Sequence, residues 1–510
     1  MTTLQLSLFG LFAILFLYKT IVAPLRNPLR HIPRAKQPPL RRRLLIEPDS
    51  RQCEEWMRET PNDGLIRYSG ILGAERILVT DPRGVRDILQ LQPYSFVKPG
   101  PIRKIIRSIL GDGLVVAEGS MHKVSQRKVL QPAFKFAHIK DLYPTFWSKS
   151  VEFVDSLSKQ VASSGQEAIT LDIIPALGRP TLDIIGLAGF GLDFNSVADP
   201  SNDLTSNYLH GFSASKSAQL RRMLSLLLPG WFLDILPLKR NKELNAAVKA
   251  VRQASERVIQ QRKADLQRTS GEKPTAQFPD ILGVTMQSGV IDTADLINQS
   301  MTFLGAGQET TTSALGWAIY QISLSPEVQS RLREEIRANL PDPSIGTSIT
   351  AEAIDKLPYL AAVCSETLRL FPPVHMIQRN LTHDLTVCNT AAPKGTSFRI
   401  SIWALNRSPT LWASDPLVFN PERWLNDARG GATDLYSFLS FSHGPRSCIG
   451  ERFARAEMAT VLAALVGRFH FSFVGSGVDV NPDPDMLDCE FGVTTKINGG
   501  LWVNMQPAQG

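Results

Sequence analysis

Residues Phe441–Gly450 read FSHGPRSCIG and place one cysteine, Cys448, between Gly444 and Gly450, directly before ERFARAEMATVLAAL, a run with helical spacing. Free cysteine is ordinarily a small buried hydrophobe. On a glycine-flanked loop at a helix start, with Arg446 two residues upstream, it is instead expected to favour the thiolate. The spacing F-x-x-G-x-R-x-C-x-G arises from residue frequencies in on the order of one in ten thousand chains of this length. That weighs against a structural cysteine in a turn.

The rest of the chain bounds what such a thiolate can serve. Hydrophobic residues make up 43% and charged residues 20% of the 510 positions, which is ordinary for a globular core. The five cysteines (Cys53, Cys364, Cys388, Cys448 and Cys489) are scattered without CxxC pairs, so neither a disulfide framework nor a zinc site is expected. The net charge is +7, but residues 1–46 hold eight Lys/Arg and no Asp or Glu, which leaves the remainder near neutral. Nucleic acid is therefore not the expected partner.

The opening LQLSLFGLFAILFLYKTIVAP is about 20 mostly apolar residues, close to a bilayer-spanning length. It lacks the charged start and small-residue cleavage site of a signal peptide. Cations follow it, which places the body in the cytosol by the positive-inside rule. We read residues 1–23 as a single-pass membrane anchor, 24–46 as a Pro-rich basic linker and 47–510 as one catalytic domain. Within the body a helix and short strands are expected before residue 81. Helical spacing dominates afterwards, as in 140–161, 241–268 and 325–340, and strand-like pieces return near 385–401 and at the C-terminus. The expected class is mainly α with small β-sheets.

Thiolate can ligate haem iron and push electron density onto it, favouring O–O cleavage. In this loop Gly444 and Gly450 would let backbone pass close to a flat cofactor. Phe441 would shield the sulfur and Arg446 would meet a haem propionate. The stretch resembles the haem-ligand signature of the cytochrome P-450 family of haem-thiolate monooxygenases. The resemblance implies that Cys448 is the axial ligand of haem b (iron protoporphyrin IX) and that the body has the cytochrome P-450 fold. Three more motifs follow the family's order. AGQETT, Ala306–Thr311, lies in an apolar run from about Asp295 to Leu324 and resembles the oxygen-activating helix. A widened turn at Ala306 and Gly307 would open a groove over the cofactor. Thr310 would then hydrogen-bond oxygen and Glu309 would relay protons. ETLR with PERW matches a structural triad of Glu366, Arg369 and Arg423. HKVSQRKVLQPAF offers Arg127, and HMIQRN offers Arg379, as propionate partners. The family usually carries Trp or His four residues before the first of these. Here Lys123 stands at that position and His122 is one residue off.

No flavin or nicotinamide module is visible in the sequence, so the resemblance implies electrons from a separate NADPH–cytochrome P-450 reductase at the endoplasmic reticulum membrane. The expected reaction oxidises a lipophilic small molecule with O2, preferably a fungal polyketide, terpenoid or alkaloid. Fatty-acid or alkane hydroxylation is the alternative, and a haem-binding sensor or an isomerase is the alternative of another class. Expected pocket walls are 93–116, Phe303, VHMIQ and CEFGVTT. Arg221–Arg240 is read as a buried helix pair or a membrane-dipping entrance.

Overall fold

The computed structural model describes residues 28–39, 46–212, 236, 238–268, 280–287, 292–342, 348–475 and 489–508. The expected anchor over 1–23 lies outside the described residues, as do positions 221–235 of the apolar run. The body, read from the sequence as one domain, divides by its packing into two compact units. One holds the chain up to Pro99, Val374–Val418 and Gly431–Ser447. The other holds Gly100–Pro373, Phe419–Gly430 and the chain from Cys448 onward.

The first unit is built on a five-stranded sheet in the order Leu65–Ser69, Glu75–Val79, Ser397–Ser401, Met376–Leu381, Phe96–Val97. The first two strands form an antiparallel hairpin, and Glu75–Val79 runs parallel to Ser397–Ser401. All five residues of Leu65–Ser69 are buried, because this strand is covered on both faces. The helix Ser50–Glu59 starts at Asp49, whose carboxylate accepts from Gln52 N at 2.9 Å, and it buries Cys53 and Trp56. Trp56 packs against Tyr68 with ring centroids 4.9 Å apart. Part of the expected linker joins this unit. Leu29, Ile32 and Ala35 are buried, and Ala35 N donates to Arg67 O at 2.9 Å. The prolines here keep the chain extended enough to lie along a strand, so this stretch is packed structure and not a bare tether.

The second unit is helical. Its centre is the 32-residue helix Thr293–Leu324, capped by Asp292, which accepts from Asp295 N at 2.7 Å. Against it lies Ile173–Phe190, and glycines permit the close approach. A Cβ on Gly316 would stand 2.3 Å from Ile174, and one on Gly307 would stand 3.0 Å from Ile185. Buried Thr181 and Thr312 join the two helices hydroxyl to hydroxyl at 2.7 Å. Among the described residues Ile173–Phe190 is the one helix long and apolar enough to cross a bilayer, yet 72% of it is buried. The helices Tyr143–Ser164, Pro358–Leu370 and Glu451–Arg468 complete the core. A three-stranded antiparallel sheet (Ile169–Asp172, Trp502–Pro507, Phe469–Gly475) and the hairpin Cys489–Phe491 with Thr495–Ile497 close the unit.

Candidate haem-thiolate site

Cys448 precedes the helix Glu451–Arg468, for which Gly450 is the N-cap. Its side chain is accessible through a cleft of about 350 Å³ lined also by Arg127, Gln131, Phe134, Ile449 and Arg452. Protein crowds the sulfur on its other sides. That burial pushes the thiol up to about 11, against the opposing pull of the Gly450 N–H and the Arg127 guanidinium; Glu451 adds to the rise. Without a bound metal, this direction runs against the bias toward thiolate expected from the sequence. The nearby cation is Arg127, desolvation outweighs it, and deprotonation falls to whatever metal the sulfur binds.

The loop before the cysteine is fixed within the first unit. Gly444 has φ +76°, and a Cβ there would stand 2.1 Å from Leu89 O. That backbone contact and the positive φ already require glycine at 444. At Gly450 a Cβ would meet only Phe134, at an ordinary 3.8 Å. Arg446 donates to Phe96 O at 2.8 Å and to Pro93 O at 3.3 Å. Arg379 donates to Gln378 O at 2.9 Å, and Phe441 is half-buried. His443 lies 3.0 Å from Phe438 O and edge-on to Tyr436. Of the expected propionate partners, Arg127 therefore shares a cleft with Cys448, whereas Arg446 and Arg379, like the expected shield Phe441, belong to the other unit. His122 is buried and Lys123 exposed.

On the long helix, Ala306 and Gly307 sit in continuous α-helix, so the expected widened turn is not formed. The Thr310 hydroxyl donates to the Ala306 carbonyl at 2.7 Å, sharing that acceptor with the helix's own N–H. Phe303 packs edge-on against Phe134, centroids 5.3 Å apart. Glu309 faces a separate cavity of about 490 Å³. Its Oε1 receives the Thr494 hydroxyl at 3.0 Å and the Lys496 ammonium at 2.6 Å. Sequence reading missed both partners, which lie in the polar run Thr494, Thr495 and Lys496.

Glu366 is fully buried and holds a hub. Arg369 Nη2 and Arg423 Nε donate to Oε1 at 2.8 and 2.9 Å; Arg369 Nε donates to Oε2 at 2.9 Å. Trp424 Nε1 and Asn420 N add bonds at 2.9 Å. Burial alone would raise the carboxyl; the Arg369 bonds and the charges of both arginines overcome it and hold it below the usual range. Glu457, also fully buried, receives among the described residues only the Thr311 hydroxyl, at 3.1 Å, and desolvation drives its carboxyl far up.

The donor set suits a metal that brings its own ligands. Among the described residues no three His, Cys, Asp or Glu side chains gather to hold a bare ion. Cys448 instead offers one accessible sulfur, with a backbone N–H and an arginine beside it and aromatic carbon at Phe134. Those groups fit a macrocyclic iron with anionic side groups, for which Cys448 would supply one thiolate ligand.

Comparison with known proteins agrees. The family model Cytochrome P-450 matches residues 66–498. A cytochrome P-450 monooxygenase of Aspergillus fumigatus is 41% identical over 97% of this chain and 91% of its own length. One from Alternaria alternata is 36% identical over 99% and 94%, and one from Gibberella moniliformis is 36% identical over 91% and 85%. Thiolate-bound haem b is the family's cofactor. The chain belongs to the cytochrome P-450 family: it is a monooxygenase, an oxidoreductase that uses haem b, O2 and a redox partner to oxidise a small molecule.

Proposed function

We propose that this monooxygenase hydroxylates, epoxidises or similarly oxidises a lipophilic fungal secondary metabolite, with electrons from NADPH delivered by a separate reductase at the endoplasmic reticulum. The observation that carries the reading is Cys448, accessible in a cleft beside Arg127 at the head of a helix. Bound haem would supply the redox chemistry of O2 reduction: two electrons and two protons leave one oxygen in the product and one in water.

The chain's own residues do the rest. Cys448 would ligate the iron, its sulfur held by the Gly450 N–H. Arg127, Arg446 and Arg379 would meet the propionates, and Phe441 would keep water from the sulfur. Ala306 and Gly307 present a small surface on the long helix. Thr310, now bonded to the Ala306 carbonyl, has a hydroxyl that would turn to hold a proton on the face of the helix beside Ala306 and Gly307. Glu309, open to its cavity, would take protons from solvent and pass them inward.

A lipophilic substrate is supported by the helix Gly100–Leu110, which has no buried residue. It exposes 57% of Ile105 among the cations Arg103, Lys104 and Arg107. That pattern suits a surface against lipid headgroups and apolar ligands. The test is reconstitution of haem-loaded protein with reductase and NADPH, followed by untargeted comparison of products formed from a fungal metabolite extract. New oxygenated products dependent on NADPH support the reading. Ligand-induced spectral change without any turnover contradicts it.

A further inference from the structure

Glu309 is not left to find its own orientation. The hairpin Cys489–Phe491 with Thr495–Ile497 is bolted to the long helix at Thr495, whose carbonyl accepts from Ser313 at 2.7 Å and Trp317 Nε1 at 3.2 Å. Thr495 N donates to Pro373 O at 2.8 Å. Thr494, in the bend before the strand, and Lys496, within it, flank Thr495, so fixing Thr495 places both, and both reach the same oxygen of Glu309. Among the described residues lining the cavity, Lys496 is the one cation. The side chains of Lys496 and Glu309 are 35% and 31% exposed, so this pair lies in the wet part of the cavity and contributes little to folding. Its geometry serves orientation.

We propose that Lys496, with Thr494, is a positioning residue for oxygen reduction: it holds the Glu309 carboxylate at the cavity wall, where it collects protons from solvent. The inference rests on the reading of Glu309 as the relay. Glu309 takes one proton from cavity water and gives one inward, returning to carboxylate each cycle. Without Lys496 the carboxylate leaves this station and proton supply slows.

O2 itself is the probe, so no substrate needs to be known. In substrate-free turnover with reductase and NADPH, four electrons and four protons convert O2 to two waters. When protons arrive late, two of each leave it as hydrogen peroxide. The Lys496→Met variant is expected to form at least twofold more peroxide per NADPH than the parent, with Lys496→Arg near the parent. The double variant with Glu309→Gln should be no worse than Glu309→Gln alone, because the two act in series. In a structure of haem-loaded Lys496→Met, the Glu309 carboxylate should have left the hairpin. Each protein must retain the thiolate-type absorption with carbon monoxide. Raised peroxide in Glu309→Gln but parental peroxide in Lys496→Met overturns this inference and leaves the relay standing. Parental peroxide in Glu309→Gln overturns the relay reading itself.

Discussion

Two carboxylates of the helical unit, Glu366 and Glu309, each pair with a cation, yet their surroundings differ in every other respect. Glu366 is wholly buried and saturated by donors from Arg369, Arg423, Trp424 and Asn420. Glu309 keeps a third of its side chain exposed and has two donors on a single oxygen. A saturated, dry carboxylate cannot exchange protons without leaving buried charges behind, so it is architecture. A partly wet carboxylate with spare lone pairs can exchange them, so it is available for chemistry. An acid meets a cation in both cases; burial and donor count separate the roles.

The comparison breaks if Glu366 proves dispensable. Glu366→Gln strands Arg369 and Arg423, and removing one partner of a buried charge network costs about 3–5 kcal/mol. The expected outcome is a clear fall in denaturation midpoint and in haem retained on purification. The same measurement on Lys496→Met should move by less than about 1 kcal/mol, as expected of an exposed pair. Glu366 also sets a sign for acid. Its folded pKa is lowered, so its contribution is present above the unfolded carboxyl pKa and is lost as pH falls through the folded value. Glu366→Gln should flatten stability on the acid side.

Glu457 sharpens the contrast from the opposite direction. It is as buried as Glu366 but faces one hydroxyl and no cation, and its carboxyl is raised. Its contribution is therefore greatest below the unfolded carboxyl pKa and declines as pH rises through the folded value. Glu457→Gln keeps an oxygen for the Thr311 hydroxyl and removes the need to stay protonated. We expect stability at neutral pH equal to or slightly above the parent, with a smaller loss toward alkaline pH in a denaturation series. A large loss at neutral pH would show that Glu457 is ionised and paired after all.

Much of this molecule was legible in the sequence for local reasons. The 3.6-residue spacing fixed the helices over 143–164, 239–268, 293–324 and 326–339 to within a few residues. The hub was legible in ETLR and PERW, and Trp424 and Asn420 sit within or beside the second motif. What escaped was set by long-range packing. Glu309 meets a hairpin some 185 positions away, which no period reveals. The depth of Cys448 outweighs its neighbouring cation. The turn at Ala306 and Gly307, expected to widen, is continuous helix, and the Thr310 hydroxyl bonds a carbonyl of its own helix. The division into two units was likewise hidden, because each is assembled from separated segments.

The most direct test of the account is the absorption of the purified, haem-loaded protein after reduction and addition of carbon monoxide. The account predicts the thiolate-type band in the parent and in Cys448→Ala no such band, with the far-ultraviolet helical signal preserved. A parent that binds haem stoichiometrically yet never shows the band, or a Cys448→Ala variant that retains it, would contradict ligation by this sulfur.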